Sequence, residues 1–397
     1  MNRILRYIFH RDHLIVTLSA FMQLCLLGLI AFNLDFLNPV ADALDNFSIT
    51  DVFFDIQHSG SEPETNDLIT LVDMTDLYAR GDIANLLEEI NLCDPLCIGV
   101  DLIFEGEKDD RLGNELLEGA VSGLVAPTIF AGKLTDYDSA DEVFKGSVRS
   151  FFSEQIDITE AYTNLNDDMA GSCIRNFSIK LPYSGGEMFS FPAKIASLFD
   201  ESVRSLNNEE LLINFKNTRF PVVSYSDIRQ KQDLIDGHIV LVGTMTEEQD
   251  MHNTPLGKMS GLELQAYTLL TLLEHKGIRD IPKWLTWLIA FFFCYLLELS
   301  IDALNRLIAK NNQSTLMVFL KESNIVAIVM LFLWVAFVCW LMFLLFVKHS
   351  INLSGGLILG LLALVCEGRD LYSSIIKALS VKHRDSVFVC TSLMNDD

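Results

Sequence analysis

Four apolar runs constrain this chain more than any other feature of its sequence. They cover residues 14–32, 284–301, 325–347 and 351–366. The third run has 23 residues and can cross a bilayer, whose hydrocarbon core needs about 20 helical residues. The fourth has 16 residues, near the lower limit for a span, although its Gly-rich start could extend or tilt it. The sequence therefore predicts an α-helical membrane region of about four spans.

The first apolar run has two interpretations, a retained anchor or a secretory signal peptide. Arg3, Arg6 and Arg11 would form the basic region of a signal peptide. The run is long for a signal peptide, however, and the following residues, NLDFLNPV, contain no small-x-small cleavage site. We interpret it as a retained anchor.

Charged residues predict the orientation of the chain. Residues 1–13, 302–324 and 367–397 carry three, three and four Lys or Arg residues. Residues 33–283 carry 18 basic and 44 acidic residues, a formal charge of −26. Basic residues close to a membrane favour the cytoplasmic side, so we expect an inner-membrane protein with both termini cytoplasmic and residues 33–283 outside. The negative charge argues against a nucleic-acid-binding surface.

Strands and helices alternate within the acidic segment. The runs "LITLVD" (68–73), "CIGVDLIF" (97–104), "APTIFAG" (126–132) and "HIVLVG" (238–243) predict strands, and "DIANLLEEINL" and "DRLGNELLEGAV" have apolar residues at helical spacing. This alternation predicts βαβ units, and the continuously apolar last run is typical of a buried parallel strand. Residues 144–227 are interpreted as an insertion of strands and one helix. The predicted fold is an α/β extracytoplasmic domain with a mostly parallel sheet.

Cysteines give little further information. Cys93, Cys97 and Cys173 lie in the acidic segment, so at most one disulfide can form among them. The motif "CDPLC" lacks the second pair of ligands that a zinc site needs. We predict no metal and no cofactor.

Several of these segments resemble a known family. "LVDMTD", "CIGVDLIF", "DDMAGSCIRNFSIKLPY" and "GHIVLVGTMTEEQDMHNTPLGKMSGLELQAYTLLTLL" are similar to the type-two CHASE domain, an extracytoplasmic sensory module of bacterial signalling receptors. The resemblance covers residues 40–280, with one apolar run before and three after, and "TPLG" with "MSGLELQA" is its most specific part. Such receptors usually continue into a cytoplasmic effector, whereas about 30 residues follow the last predicted span here. Gln265 stands where the family pattern commonly has His.

Six polar residues form the candidate ligand site. Two lie at or near the carboxyl ends of the first two strands, and four follow the strand "HIVLVG". Ligands of open α/β sheets bind beyond the carboxyl ends of the strands, so we expect these side chains to converge. Several carboxylates would attract Ca²⁺ or a ligand amine. The residues are Asp73, Asp101, Thr244, Asp250, His252 and Thr254.

Each of these residues also has a purely structural interpretation. An Asp at the end of a strand commonly caps the following turn, which is the simpler role for Asp73 and Asp101. An Asx turn leading into Thr-Pro would equally explain Asp250 and Thr254. His252 has the character of an exposed loop residue, which is more often inert than a ligand.

Two carboxylates also occur near the inner end of the second predicted span. Glu298 and Asp302 would be costly within a bilayer unless they faced a polar partner. The simpler interpretation is an ordinary helix end at the cytoplasmic interface, because Arg306 and Lys310 follow closely.

Three classes of function are compatible with this sequence. The first is a sensor that detects an extracytoplasmic ligand or protein and relays the event to a separate cytoplasmic effector. Such a sensor would contact membrane lipids, and a homo-oligomer is compatible with the sequence. The second is a structural or assembly scaffold of an envelope complex. The third, an ectoenzyme, has little support because the chain lacks G-x-S-x-G, H-E-x-x-H, Walker and kinase signatures. We predict a sensor that is not an enzyme.

Overall fold

The structure is a computed structural model. It describes residues 3–32, 49–60, 62–165, 173–206, 210–275, 277–310, 319, 324–353, 355–382 and 386–393. The chain divides into two compact units, Thr50–Arg279 and the combination of Met1–Ile49 with Asp280–Asp397.

The helices and strands are numbered in chain order. The helices are α1 (Arg3–Ile8), α2 (Arg11–Phe32), α3 (Ile49–Ser59), α4 (Arg80–Asn91), α5 (Arg111–Ser122), α6 (Phe191–Phe199), α7 (Ser202–Ser205), α8 (Gly261–Leu273), α9 (Lys283–Lys310), α10 (Ile325–His349), α11 (Gly355–Lys382) and α12 (Val387–Cys390). The strands are β1 (Glu64–Thr65), β2 (Ile69–Asp73), β3 (Cys97–Val100), β4 (Thr128–Asp138), β5 (Val143–Val148), β6 (Thr159–Tyr162), β7 (Asn176–Ser178), β8 (Lys180–Tyr183), β9 (Gly186–Phe189), β10 (Glu210–Leu212), β11 (Thr218–Arg219), β12 (Val222–Ser224), β13 (Ile239–Gly243), β14 (Met251–Thr254), β15 (Gly257–Ser260), β16 (Arg279–Asp280) and β17 (Ile351–Asn352).

A nine-stranded sheet forms the centre of the Thr50–Arg279 unit. Its order is β12-β2-β13-β3-β4-β5-β8-β9, and β6 also pairs with β4. The pairs from β12 across to β4, and the β4–β6 pair, are all parallel. The antiparallel pair β8–β9 lies in the region 144–227 predicted as an insertion, whereas the antiparallel pair β4–β5 begins before it, since β4 ends at Asp138. The predicted α/β class with a mostly parallel sheet is thus confirmed.

Helices cover both faces of the central strands. On one face, Leu87 of α4 and Leu117 of α5 belong to one buried cluster with Val72 and Val242 of the sheet. On the other face α6 packs against α8 and against β3. Gly99 of β3 permits this approach, since a Cβ there would lie 2.8 Å from Cδ1 of Ile195, closer than real Cβ contacts occur. The parallel sheet is therefore buried on both sides, as its continuously apolar strands predict.

The second unit contains four long helices. Helix α2 packs against α9 and α11, and α10 also packs against α9 and α11. Within the described residues, two helices are long and apolar enough to cross a membrane, Lys283–Lys310 and Ile325–His349. The sequence predicted four such spans, so the structure supports two candidates by length and composition.

The helix ends differ most from the predicted spans in α9 and α11. Helix α9 continues to Lys310, nine residues beyond the predicted end at 301. Helix α11 begins at Gly355 and not at 351, because β17 occupies Ile351–Asn352. It continues to Lys382, well past the predicted end at 366. Apolar runs locate the hydrophobic part of a helix and not its polar extensions. Within the predicted loop 302–324, residues 311–318 and 320–323 lie outside the described part.

Candidate functional site

The carboxyl ends of three strands meet at one edge of the sheet. Gly243, the last residue of β13, is in register with Asp73, the last residue of β2. On the other side of β13, the Asp101 amide donates to the Val242 carbonyl over 2.8 Å. The backbones of Asp73, Gly243 and Asp101 are therefore adjacent at this edge, the position at which α/β folds place ligands.

The side chain of Asp73 closes the turn after β2. Its Oδ1 accepts hydrogen bonds from the Thr75 amide over 2.9 Å and from Thr75 Oγ1 over 2.6 Å. Thr75 Oγ1 in turn accepts a hydrogen bond from the Met245 amide over 3.1 Å. This is an Asx-type turn, and it also holds the loop after β13 against the loop after β2.

Asp101 is held in a different environment. Burial, the nearby Asp250 carboxylate and the weaker opposing effect of His252 together raise the pKa of Asp101 to about 7. Asp250 and His252 are therefore close enough to Asp101 to influence its charge. Asp101 can therefore change protonation state near neutral pH, unlike an ordinary surface carboxyl.

Asp250 and His252 lie at the start of helix α8. His252 Nε2 is 3.5 Å from Asp250 Oδ1. The same carboxylate lies over Gly261, the first residue of α8, and a Cβ on Gly261 would be 2.5 Å from Asp250 Oδ1. A carboxylate is stabilised there by the partial positive charge of a helix N-terminus. The glycine of "MSGLELQA" thus makes room for an acidic side chain.

A hairpin connects the sheet edge to α8. Strands β14 and β15 pair antiparallel, with His252 opposite Met259. Thr254 is buried, donates to the Gly257 carbonyl over 2.8 Å and accepts from the Leu256 amide over 3.2 Å. Thr254 therefore closes the hairpin turn. Thr244 is half-buried directly after β13.

The structure thus separates five of the six candidate residues into two groups, and Thr244 belongs to neither. Asp101, Asp250 and His252 form a titratable cluster, whereas Asp73 and Thr254 hold turns. Among the described residues, no group of three His, Cys, Asp or Glu side chains is arranged to hold a metal ion. The cluster offers two carboxylates and an imidazole to a ligand, and neutralising either carboxylate would relieve the repulsion between them.

A second polar cluster lies inside the helical unit. Glu298 and Asp302 of α9 are 0% and 1% exposed. Arg369 of α11 donates to Glu298 Oε1 over 2.7 Å and to Asp302 Oδ1 over 3.3 Å. Asp302 also accepts from Arg306 over 2.8 Å and from the Tyr7 hydroxyl over 2.7 Å. The two carboxylates are therefore buried partners of a guanidinium, and the interpretation as an ordinary helix end is incomplete.

The N-terminal part of α2 joins the same region. His13 is buried, with Nδ1 3.6 Å from Glu298 Oε1. Within the described residues, neither ring nitrogen of His13 has a hydrogen-bond partner, and neither has Glu298 Oε2. These atoms form the least satisfied part of the cluster.

Asp12 connects α2 to α11 and to the C-terminal segment. Its carboxylate is fully buried and accepts from the Tyr372 hydroxyl over 2.9 Å, from Ser392 Oγ over 2.8 Å and from the Leu393 amide over 2.6 Å. Arg11 donates to Thr391 Oγ1 over 2.7 Å. Residues 386–393 are thus held against the start of α2.

Sequence reasoning singled out Glu298 and Asp302 but missed their partners. Arg369 follows the predicted fourth span, and Tyr7 and His13 lie in the predicted N-terminal segment 1–13. One signal was present, because carboxylates in an apolar helix need partners at the same depth. A basic residue just beyond another apolar run was therefore a candidate partner for Glu298 and Asp302.

Comparison with protein families gives one match. The model of the CHASE2 domain matches residues 22–299, which include the whole Thr50–Arg279 unit. Comparisons with curated proteins and with solved structures found no match.

Proposed function

The chain belongs to the CHASE2 domain family of extracytoplasmic sensory domains, and from this membership we propose that it is a membrane-anchored sensor. In this proposal the Thr50–Arg279 unit detects a ligand or protein outside the inner membrane. The helical unit relays the event to a separate cytoplasmic effector.

The proposed topology has four spans, α2, α9, α10 and α11. Two of them meet the length and composition of a membrane span within the described residues. Helices α2 and α11 are 22 and 28 residues long and pack against α9, which supports their placement in the same bundle. Basic residues in segments 1–13, 302–324 and 367–397 favour the cytoplasmic side for both termini.

The Asp101–Asp250–His252 cluster supports detection at the sheet edge. The Asp250 carboxylate raises the pKa of Asp101, so Asp101 responds to any group that brings positive charge or a proton. The cluster lies at the start of α8, and nine residues separate its last residue, Leu273, from Lys283, the first residue of α9. The helix that begins at the cluster is therefore followed closely along the chain by α9, the first long helix of the second unit after Thr50–Arg279.

The buried ionic cluster supports a relay. Arg369, Glu298 and Asp302 join α11 to α9, and Asp12 joins α2 to the segment 386–393. Buried charge pairs tolerate little displacement, because separating them leaves a charge without compensation. Because Arg306 of α9 also donates to the Leu393 carbonyl over 3.2 Å, a shift of α9 relative to α2 would change the contacts that hold the C-terminal segment.

The relay can be tested with the proton as a stimulus, because protonation of Asp101 removes the same negative charge that a cationic ligand would neutralise. The full chain is reconstituted in sealed liposomes with the Thr50–Arg279 unit outside and the lumen buffered. A fluorophore is placed on α11 by Val381→Cys, a position that is 88% exposed. Lowering the outside pH from about 8 to about 6, across the pKa of Asp101, should change the fluorescence.

Two variants complete the experiment. Asp101→Asn should abolish the response, and Asp141→Asn, which changes an exposed carboxylate of the same unit, should retain it. A wild-type chain without any response, or an Asp101→Asn chain that responds fully, would contradict the relay and favour a scaffold.

A further inference from the structure

The short segment 173–175 lies against the hairpin β14–β15, which carries His252. Cys173 forms a parallel bridge with Asn253 of β14, and the Ile174 amide donates to the Asn253 carbonyl over 2.8 Å. Asn253 directly follows His252 in the chain, and Ile174 is buried. A displacement of β14 would therefore be felt by the backbone of this segment.

The side chain of Arg175 joins the same segment to helix α3. Its Nε donates to Asp51 Oδ1 over 2.9 Å and its Nη2 donates to Asp51 Oδ2 over 2.6 Å. The two side chains are 15% and 20% exposed, so solvent screens this pair less than an ordinary surface ion pair. Two parallel hydrogen bonds fix both the distance and the orientation of the partners. Arg175 thus holds α3 in a defined position relative to segment 173–175.

The backbone of Arg175 reaches the segment with which the chain leaves the Thr50–Arg279 unit. The Ile213 amide donates to the Arg175 carbonyl over 2.8 Å. Next to Ile213, Leu212 exchanges two backbone hydrogen bonds with Ile278, over 3.2 and 3.4 Å. Ile278 stands five residues before Lys283, the first residue of α9. One residue is therefore bonded to the first helix of the unit and, through β10, to its last segment.

Helix α3 has apolar contacts that do not involve this ion pair. Phe54 is 1% exposed, and its ring packs edge-on against Phe215 with 5.5 Å between the ring centroids. His58 Nε2 lies 2.9 Å from the Phe215 carbonyl oxygen. Because these contacts anchor α3 to the core, we expect the helix to stay folded without the ion pair. The pair then determines where α3 lies relative to the hairpin.

The hairpin has a physical reason to move. Asp250 immediately precedes β14, and its carboxylate disfavours a negative charge on Asp101. Its side chain is 40% exposed, so it has room to approach Asp101 once the repulsion is removed. The position of β14 should therefore depend on the charge of Asp101.

We infer that Arg175 is a positioning residue that couples β14 to α3 through Asp51 and to the last segment of the unit through Ile213. The inference rests on the proposed function in taking this hairpin as the detecting element. Separating a largely buried ion pair leaves charges without compensation, so Asp51 follows a displacement of Arg175. Lysine cannot replace this contact, because an ammonium does not form the two parallel bonds of a guanidinium.

The coupling is tested on the full chain in nanodiscs by hydrogen–deuterium exchange at constant pH. Thr254→Val weakens the hairpin at a distance from the ion pair, since it removes the two hydrogen bonds that close the turn. It is combined with Arg175→Lys, with Asp51→Asn, or with the matched control Arg229→Lys. The control changes an exposed ion pair of the same unit, in which Arg229 Nη2 lies 2.7 Å from Glu89 Oε1. Exchange is followed in β14–β15 and in α3.

In the wild-type and Arg229→Lys backgrounds, Thr254→Val should speed exchange in α3 about two- to tenfold, the effect of weakening one or two hydrogen bonds. In the Arg175→Lys and Asp51→Asn backgrounds, Thr254→Val should speed exchange in the hairpin and leave α3 unchanged. A purely structural role of Arg175 would speed exchange in α3 without altering the effect of Thr254→Val. That result, or no effect of Thr254→Val on α3 in the wild type, would overturn the inference.

This experiment needs no stimulus and no signal across the membrane. A silent fluorophore on α11 would therefore contradict the proposed relay and leave the measured coupling within the unit standing. Conversely, a working relay without exchange coupling between β14 and α3 would refute the role of Arg175 and favour transmission along α8.

Discussion

The carboxylate of Asp250 occupies the space in which a side chain on Gly261 would begin. Its Oδ1 lies 2.5 Å from the position of a Cβ on that glycine, closer than real Cβ contacts occur. The residue pair couples the hairpin after β13 to the N-terminus of α8. It also explains why a glycine opens this helix although it disfavours helix formation.

Gly261→Ala should therefore destabilise the Thr50–Arg279 unit. The added methyl group must displace the Asp250 carboxylate, whose side chain is 40% exposed and can rotate aside, so the expected cost is the lost interaction with the helix N-terminus, about 0.3–1 kcal/mol in free energy of unfolding. Chemical unfolding of the full chain in detergent measures this change.

Gly119→Ala is the matched control for this substitution. Gly119 lies within α5 with nothing within 4 Å of its Cβ position, so alanine there should stabilise by up to about 1 kcal/mol. In an Asp250→Gly background, Gly261→Ala should lose most of its cost. Equal costs with and without Asp250 would show that the carboxylate is not the cause.

The stability of the unit should fall as the pH rises through the titration of Asp101. The folded-state pKa of about 7 is above the ordinary value of 3.8, so the folded state binds this proton more tightly than the unfolded state. The stability that this tighter proton binding contributes is fully present below about pH 4 and is lost as the pH approaches 7. A difference of one unit in pKa corresponds to about 1.4 kcal/mol, so the loss of unfolding free energy has an upper limit of ~4 kcal/mol.

The comparison with Asp101→Asn isolates this effect from the other carboxylates. The variant cannot ionise, so the difference in unfolding free energy between it and the wild type should change between pH 4 and 7 and be constant above about 8. A difference that is constant across pH 4–8 would mean that Asp101 ionises as an ordinary carboxyl.

Asp73 should matter for stability and not for the response to external pH. Asp73→Ala removes the two hydrogen bonds to Thr75, with an expected loss of about 1–2 kcal/mol. The fluorescence response of the liposome experiment should remain, whereas Asp250→Asn should alter it. Loss of the response in a folded Asp73→Ala chain would instead place Asp73 in the detecting site.

Arg369→Met should destabilise the helical unit by about 3–5 kcal/mol. It leaves Glu298 without its guanidinium partner and removes one of the partners of Asp302, while both carboxylates stay buried. Thermal unfolding of the full chain in detergent, followed by helix content, measures the loss.

Two variants distinguish the lost charge pair from lost packing. Lys377→Met changes an exposed basic residue of the same helix and should have little effect. Adding Glu298→Gln to Arg369→Met should restore part of the stability, because it removes one uncompensated charge. If Lys377→Met costs as much as Arg369→Met, the buried pairs do not stabilise this bundle.

The sequence predicted the sheet better than the site. Apolar runs such as "HIVLVG" locate buried parallel strands, and the register of Gly243 with Asp73 follows from parallel pairing. The hairpin β14–β15 was missed because "MHNTPLGKMS" has little apolar alternation, and its strands are stabilised by Thr254 and by pairing. The sequence favoured a turn-capping role for both Asp73 and Asp101, whereas the structure shows turn bonds from Asp73 to Thr75 and places Asp101 near Asp250.

Long-range partners limit prediction in the bundle. Arg369 is 67 residues from Asp302, and Tyr372 is 360 residues from Asp12. Polar residues beyond the ends of apolar runs do not show which helix they face. Only the packing of α2, α9 and α11 brings these charges together.

Cysteine labelling tests the central claim most directly, since a sensor of this kind must have the Thr50–Arg279 unit and the C-terminal segment on opposite sides of the membrane. In a chain without its eight native cysteines, Ser139→Cys and Val381→Cys provide exposed positions on the two sides. The account predicts that a membrane-impermeant maleimide labels Ser139→Cys in intact spheroplasts and labels Val381→Cys only after lysis. Labelling of Val381→Cys but not Ser139→Cys in intact spheroplasts would contradict both the topology and the sensor.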